Sequence, residues 1–147
     1  MPGIYRHNSV IKPSLALLLL TLHVSVAAQT LYQDLGGATA LQKVSRDLVQ
    51  GLQRHPHLRE SFKDSNLPRL QSLLQEQLCE LSDGPCRYSG DDMQTVHRGL
   101  AISELQFYAL VEVLQEAMTA QGIASHTQNR LLARLAPMKS QIVAPKK

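Results

Sequence analysis

Tyr88-Ser89-Gly90-Asp91-Asp92-Met93-Gln94-Thr95-Val96-His97-Arg98-Gly99-Leu100 is the stretch on which the fold of this chain turns. Carboxylates are favourable at a helix start, so Asp91-Asp92 reads as the cap of a short helix carrying His97. Neutral imidazole is a common metal ligand, and few other candidate ligands lie nearby. On this stretch alone, an ordinary structural histidine is the simpler reading. The rest of the chain has to decide.

Working outward, the pattern is helical. Residues 31–37 form a short element closed by Gly36-Gly37, a turn signal. A helix follows over residues 40–54, with Leu41, Val44, Leu48 and Leu52 on one face at helical spacing. His55-Pro56 ends it, because a residue before proline avoids the helical region. Asn66 caps the next helix, and Pro68 fits its first turn. The apolar face there is Leu67, Leu70, Leu74, Leu78 and Leu81, with Leu73 beside it, and Asp83-Gly84-Pro85 stops it. Ser103-Glu104-Leu105-Gln106 is a capping box that starts a long helix. Its stripe is Phe107, Leu110, Val111, Leu114 and Met118, and Gly122 closes it. Ser125-His126-Thr127-Gln128 reads as a second capping box, followed by Leu131, Leu132, Leu135, Met138 and Ile142. Strand-like alternation is missing, so the expectation is four or five helices in a single bundle.

The N-terminal segment reads differently. Arg6, His7 and Lys12 precede a short apolar run over residues 15–28, and Val26-Ala27-Ala28 suits a cleavage site before Gln29. That is the pattern of a secretory signal peptide. The run is short for a membrane span of about 20 residues, although an uncleaved anchor is the competing reading. The expected organisation is a signal peptide over 1–28 and one domain over 29–147, exported to a periplasmic location. Removing 28 of the 147 residues leaves 119, enough for one modest core. Lys+Arg then falls from 15 to 13 against 12 Asp+Glu, a net charge of +1. No basic stripe points to nucleic acid. Once the signal is cleaved, no membrane partner is expected.

Cys79 and Cys86 are the two cysteines. In an exported chain an even count suggests a disulfide. The turn between them lets the ends approach, and closing so short a loop stabilises by about 2–3 kcal/mol. Two separate buried thiols are the alternative. There is no Cys-x-x-Cys-His for covalent haem attachment. His55 and His57 flank Pro56 at an exposed corner where a paired metal site is a minor reading, and His126 reads as solvated.

With His97 in this setting the chain resembles the group I truncated haemoglobins, the protozoan and cyanobacterial globin type. The resemblance covers residues 31–143. It rests on Leu31-Tyr32-Gln33-Asp34-Leu35-Gly36-Gly37, on Phe62, on Gly84-Pro85 leading to Tyr88-Ser89-Gly90, on Met93 with His97, and on residues 102–107. It implies an all-α two-over-two helical sandwich holding non-covalent haem b. It implies that His97 is the proximal iron ligand, that Phe62 packs on the haem face, and that Tyr88, Met93 and Phe107 line the cofactor. Arg69 is placed to pair with a propionate. The implied cavity is roofed by Leu70 and Leu74 and floored by Met93 and Phe107.

The chain also departs from the family. Where many relatives have a gas-binding tyrosine, this chain has Val49. Where they often have glutamine or histidine, it has Leu70, Leu73 and Leu74. Gln77, one turn on, is the nearby polar candidate for contact with bound gas. The expectation is an apolar distal pocket of Val49, Leu70 and Leu74, and five-coordinate ferrous haem. Three functions follow. One is reversible binding of oxygen, nitric oxide or carbon monoxide, with oxygen carriage included. A second is a nitric oxide dioxygenase or weak peroxidase, which requires a redox partner. The third is a cofactor-free helical interaction module stapled by Cys79 and Cys86. The chain reads as a ligand-binding haem protein before an enzyme.

Overall fold

The computed structural model describes residue 3 and residues 28–145. The expected signal peptide therefore lies almost entirely outside the described residues. Among the described residues no helix is long and apolar enough to cross a membrane.

Every regular element described is helical. α1 (Leu31–Asp34) is held by a Thr30/Gln33 capping box and buries Leu31. The chain then turns through Gly36 and Gly37, both at positive φ. A Cβ on Gly36 would lie 2.7 Å from the Ala40 Cβ, so both conformation and space require glycine there. Because that turn feeds straight into a helix, α2 (Gly37–Arg54) starts earlier than the expected residue 40. All four expected core positions, Leu41, Val44, Leu48 and Leu52, are buried on it. His55 is extended before Pro56 and ends the helix as expected.

α3 (Arg59–Phe62) is a single turn without a periodic signal. α4 (Leu67–Leu81) starts at Asn66, whose side chain accepts from the Arg69 amide. Only Leu78 and Cys79 are fully buried on α4, while Leu70 and Leu74 are half-buried against the core. α5 (Met93–His97) carries the histidine. α6 (Glu104–Ala120) begins with the expected Ser103/Gln106 capping box.

Three expectations about the C-terminal half need correction. The buried face of α6 is Ala109, Val113, Leu114, Ala117 and Met118, while Phe107, Leu110 and Val111 are only partly buried. Small residues let α2 approach closely: a Cβ on Gly51 would sit 2.3 Å from Val113 Cγ1. Leu114 and Met118 of the expected stripe are buried, whereas its other members, chosen by side-chain size, lie beside the buried face. Next, the Ser125/Gln128 capping box does not form. α7 (Ser125–Leu135) has Ala124 as its N-cap, and Gln128 turns inward, donating to the Ile123 carbonyl at 2.8 Å and Thr119 Oγ1 at 3.1 Å. Finally, the last stripe is not one helix. Pro137 falls in a 3₁₀ turn (Ala136–Met138), and a separate α8 (Lys139–Ile142) follows.

α2 packs against α4 and α6, and α7 closes the ring by contacting both of those helices. The four long helices therefore stack two over two. Arg130 pairs with Asp34 and Arg134 with Asp83, tying α7 to α1 and to the turn after α4. The short α5 packs on α8, outside the four-helix stack.

Candidate functional site

α5 is too short to be stable by itself, since isolated helices below about 12 residues are marginal. Its order comes from its flanks. Asp92 caps it, accepting from the Thr95 amide at 2.9 Å and the Thr95 hydroxyl at 2.8 Å. These bonds hold the Asp92 carboxyl below its usual range, the hydroxyl contributing most. Before it, the Tyr88 hydroxyl donates to the Asp91 carbonyl at 3.0 Å. Burial, then the charge of Asp91, pushes the Tyr88 phenol up.

His97 ends α5 and is half-buried. Its Nδ1 lies 2.8 Å from the Met93 carbonyl oxygen. A carbonyl can only accept, so Nδ1 carries the proton. In the neutral ring Nε2 then has its lone pair free. That is the protonation state of a histidine ready to bind a metal, with the orienting bond already made.

The other expected site residues fall into groups. Gln77 is brought to Met93: its Nε2 lies 3.4 Å from Met93 Sδ and 4.0 Å from Met138 Sδ. Phe62, Leu70 and Leu74 pack half-buried against the core, and Val49 is buried on α2. Phe107 meets Tyr108 edge-on at 5.7 Å. The Arg69 side chain is exposed on the first turn of α4. Cys79 and Cys86 are joined in a disulfide, with Cα atoms 5.7 Å apart.

Two depressions, of about 560 and 410 Å³, share Glu104, Val143 and Ala144 in their lining. Neither includes His97 or the residues expected to roof and floor its cavity. Between α4 and α5 the space is bridged by the flexible Gln77 and Met93 side chains. His55 and His57 have ring centroids 5.6 Å apart, but the His57 amide donates to His55 Nδ1 at 3.3 Å. Among the described residues no group of three or more His, Cys, Asp or Glu is placed to hold a metal.

One latch has no counterpart in sequence periodicity. Glu76 accepts from the Ser89 amide at 2.9 Å and its hydroxyl at 2.7 Å, fastening the approach to α5 onto α4. The two residues are thirteen apart, and neither is unusual in type. The Ser89 hydroxyl bond is the main reason that the Glu76 carboxyl sits below its usual range. A lowered carboxylate pKa contributes stability above the unfolded-state value, lost as pH falls through the folded one. Acidification through that range should therefore lower the protection of the Ser89 amide, read as its exchange relative to the intrinsic rate at the same pH. Glu76→Gln should give fast exchange already at neutral pH, and unchanged exchange in that variant would deny the latch.

The comparisons with known proteins agree with this architecture. The group 1 truncated hemoglobin GlbN of a Nostoc species is 28% identical over 114 residues, covering 78% of this chain and 97% of that protein. Its counterpart from Mycolicibacterium paratuberculosis is 29% identical over 113 residues, covering 77% and 83%. In structure, the Fe(III) form of Tetrahymena pyriformis truncated hemoglobin superposes with a TM-score of 0.77 at 21% identity, over 80% of this chain and all of that one. The group II truncated hemoglobin of Bacillus anthracis gives 0.73 at 21% identity, over 82% and 96%. These superpositions establish the two-over-two helical sandwich. The family described as bacterial-like globin matches residues 30–144, and the chain belongs to it as a truncated globin of group I type.

Proposed function

We propose that this protein binds non-covalent haem b through His97 and takes up a diatomic gas at the iron. Globin-family proteins bind haem, and the donor chemistry here fits that group. The observation that carries the reading is the bond from His97 Nδ1 to the Met93 carbonyl, which leaves Nε2 available as an axial ligand. Phe62, Leu70, Leu74, Tyr88, Met93 and Phe107 would supply apolar contact, and Arg69 a charge for a propionate. When bound, the haem iron supplies the site where the gas is held. The residues of this chain orient the imidazole, exclude water and set the polarity above the iron. Export to the periplasm accompanies the proposal, on the strength of residues 1–28 alone.

Val49 and Leu70 offer no hydrogen-bond donor on the gas side. Donors matter most for bound oxygen, which carries partial negative charge. The pocket should therefore favour carbon monoxide and nitric oxide over oxygen. Binding of carbon monoxide and oxygen to the ferrous haem protein tests this, followed by flash photolysis. Val49→Tyr should raise oxygen affinity roughly five- to tenfold, the worth of about 1 kcal/mol from one donor bond. It should change carbon monoxide affinity much less. Equal changes for both gases would deny that distal polarity sets selectivity. Nitric oxide dioxygenation or peroxidase chemistry requires oxygen held and activated by such donors, and a redox partner. Gln77 is engaged with methionine sulfurs, so gas binding is favoured over enzymatic turnover.

A further inference from the structure

We infer that Gln77 is a positioning residue for His97, acting on the imidazole through Met93; the inference rests on the haem reading above. Gln77 lies on α4, partly buried, and its amide nitrogen faces two thioether sulfurs. Met93 opens α5, and its carbonyl accepts the His97 Nδ1 proton. Met138 ends the 3₁₀ turn that leads into α8, which packs on α5.

One amide thus touches the helix that carries the histidine and the turn that leads into the helix packed on it. Its two N–H groups match two acceptors. Each bond to sulfur is weak, but methionine has three rotatable bonds and no preferred shape. Fixing its sulfur therefore removes freedom that a helix of five residues cannot restrain. The preceding residue, Glu76, holds Ser89. Adjacent residues of α4 thus secure both the approach to α5 and its first residue. Altering Gln77 should change the tilt of the imidazole while leaving the ligand identity intact. A role as donor to bound gas would require the amide to abandon both sulfurs.

Resonance Raman spectroscopy separates these roles in the ferrous haem protein. The Fe–His stretching band reports the imidazole, and the Fe–CO and C–O bands report donors beside bound gas. In Gln77→Leu and Gln77→Glu the Fe–His band should shift and broaden, while the carbon monoxide bands stay put. Met93→Leu should reproduce the shift, and combining it with Gln77→Leu should add nothing, as expected for partners in one contact. An unmoved Fe–His band would overturn the inference, as would movement of the carbon monoxide bands alone. The haem-free protein gives an independent reading. The Met93 and Met138 methyl resonances should both move in Gln77→Leu, and unmoved resonances would refute the contact. Failure of the wild-type protein to bind haem while both methyls move would overturn the function and the positioning role, and leave only the contact.

Discussion

His97→Ala lowers haem retention by at least about 100-fold. The magnitude is bounded from below by general experience with metal sites, where even residues that only orient a ligand cost about 10–100-fold when removed. His97 is the ligand itself in this account, and its side chain makes one described hydrogen bond, to the Met93 carbonyl. The fold should be nearly indifferent to the change. The ring is half-buried at the end of a five-residue helix, outside the four-helix stack. Such substitutions usually cost no more than about 1 kcal/mol. Haem transfer to an excess of an apo-globin acceptor measures the effect, with a urea titration of the haem-free variant as control. Added imidazole should restore a five-coordinate ferrous spectrum in the variant. Equal transfer rates for both proteins would remove His97 from the iron.

Replacing both cysteines, as Cys79→Ala with Cys86→Ala, lowers stability by about 2.5 kcal/mol on the chain-entropy account of a short closed loop. For a domain of this size the midpoint of thermal unfolding should fall by about 10 °C. The native turn has other supports. The Tyr32 amide donates to the Ser82 carbonyl at 2.7 Å, and the Gly84 amide to the Cys79 carbonyl at 2.9 Å. Arg134 grips both oxygens of Asp83 and holds its carboxyl below the usual range. Gly84 packs so closely that a Cβ would lie 2.6 Å from both Cys79 Sγ and Tyr32 Cδ2. With these contacts kept, the folded turn should persist, and the loss should reside mainly in the freer unfolded chain. Unfolding of the haem-free protein with and without reductant measures it. An unchanged midpoint would mean that the remaining contacts already restrict the unfolded segment.

How much of this was legible from residues depended on the range of the interaction. Local chemistry read well. Asn66, Asp92 and Ser103 cap helices as their types suggest, and Pro56 and Gly122 stop them. These signals act within four residues, so the sequence contains both partners. The disulfide was legible for the same reason, being closed across a short turn. Failures came where tertiary packing decides. The Ser125/Gln128 pattern satisfies the capping rule, yet Gln128 serves the end of α6 instead. The core face of α6 follows alanine and valine because α2 presses against it at Gly51. His97 could be placed on a short capped helix, but its bond to the Met93 carbonyl, on which the proposed ligand role rests, has no periodic signal. Gln77 was legible as a polar residue near the gas side. Its partners, Met93 and Met138, lie 16 and 61 residues away and have no sequence signal.

The most direct test is titration of haem into the haem-free protein, followed by the absorption spectrum of the reduced product. The account predicts saturation at one haem per chain and a five-coordinate ferrous spectrum that changes fully on adding carbon monoxide. Absence of a stoichiometric end point, with a spectrum like that of free haem, would contradict it and leave a disulfide-stapled helical module on a globin fold.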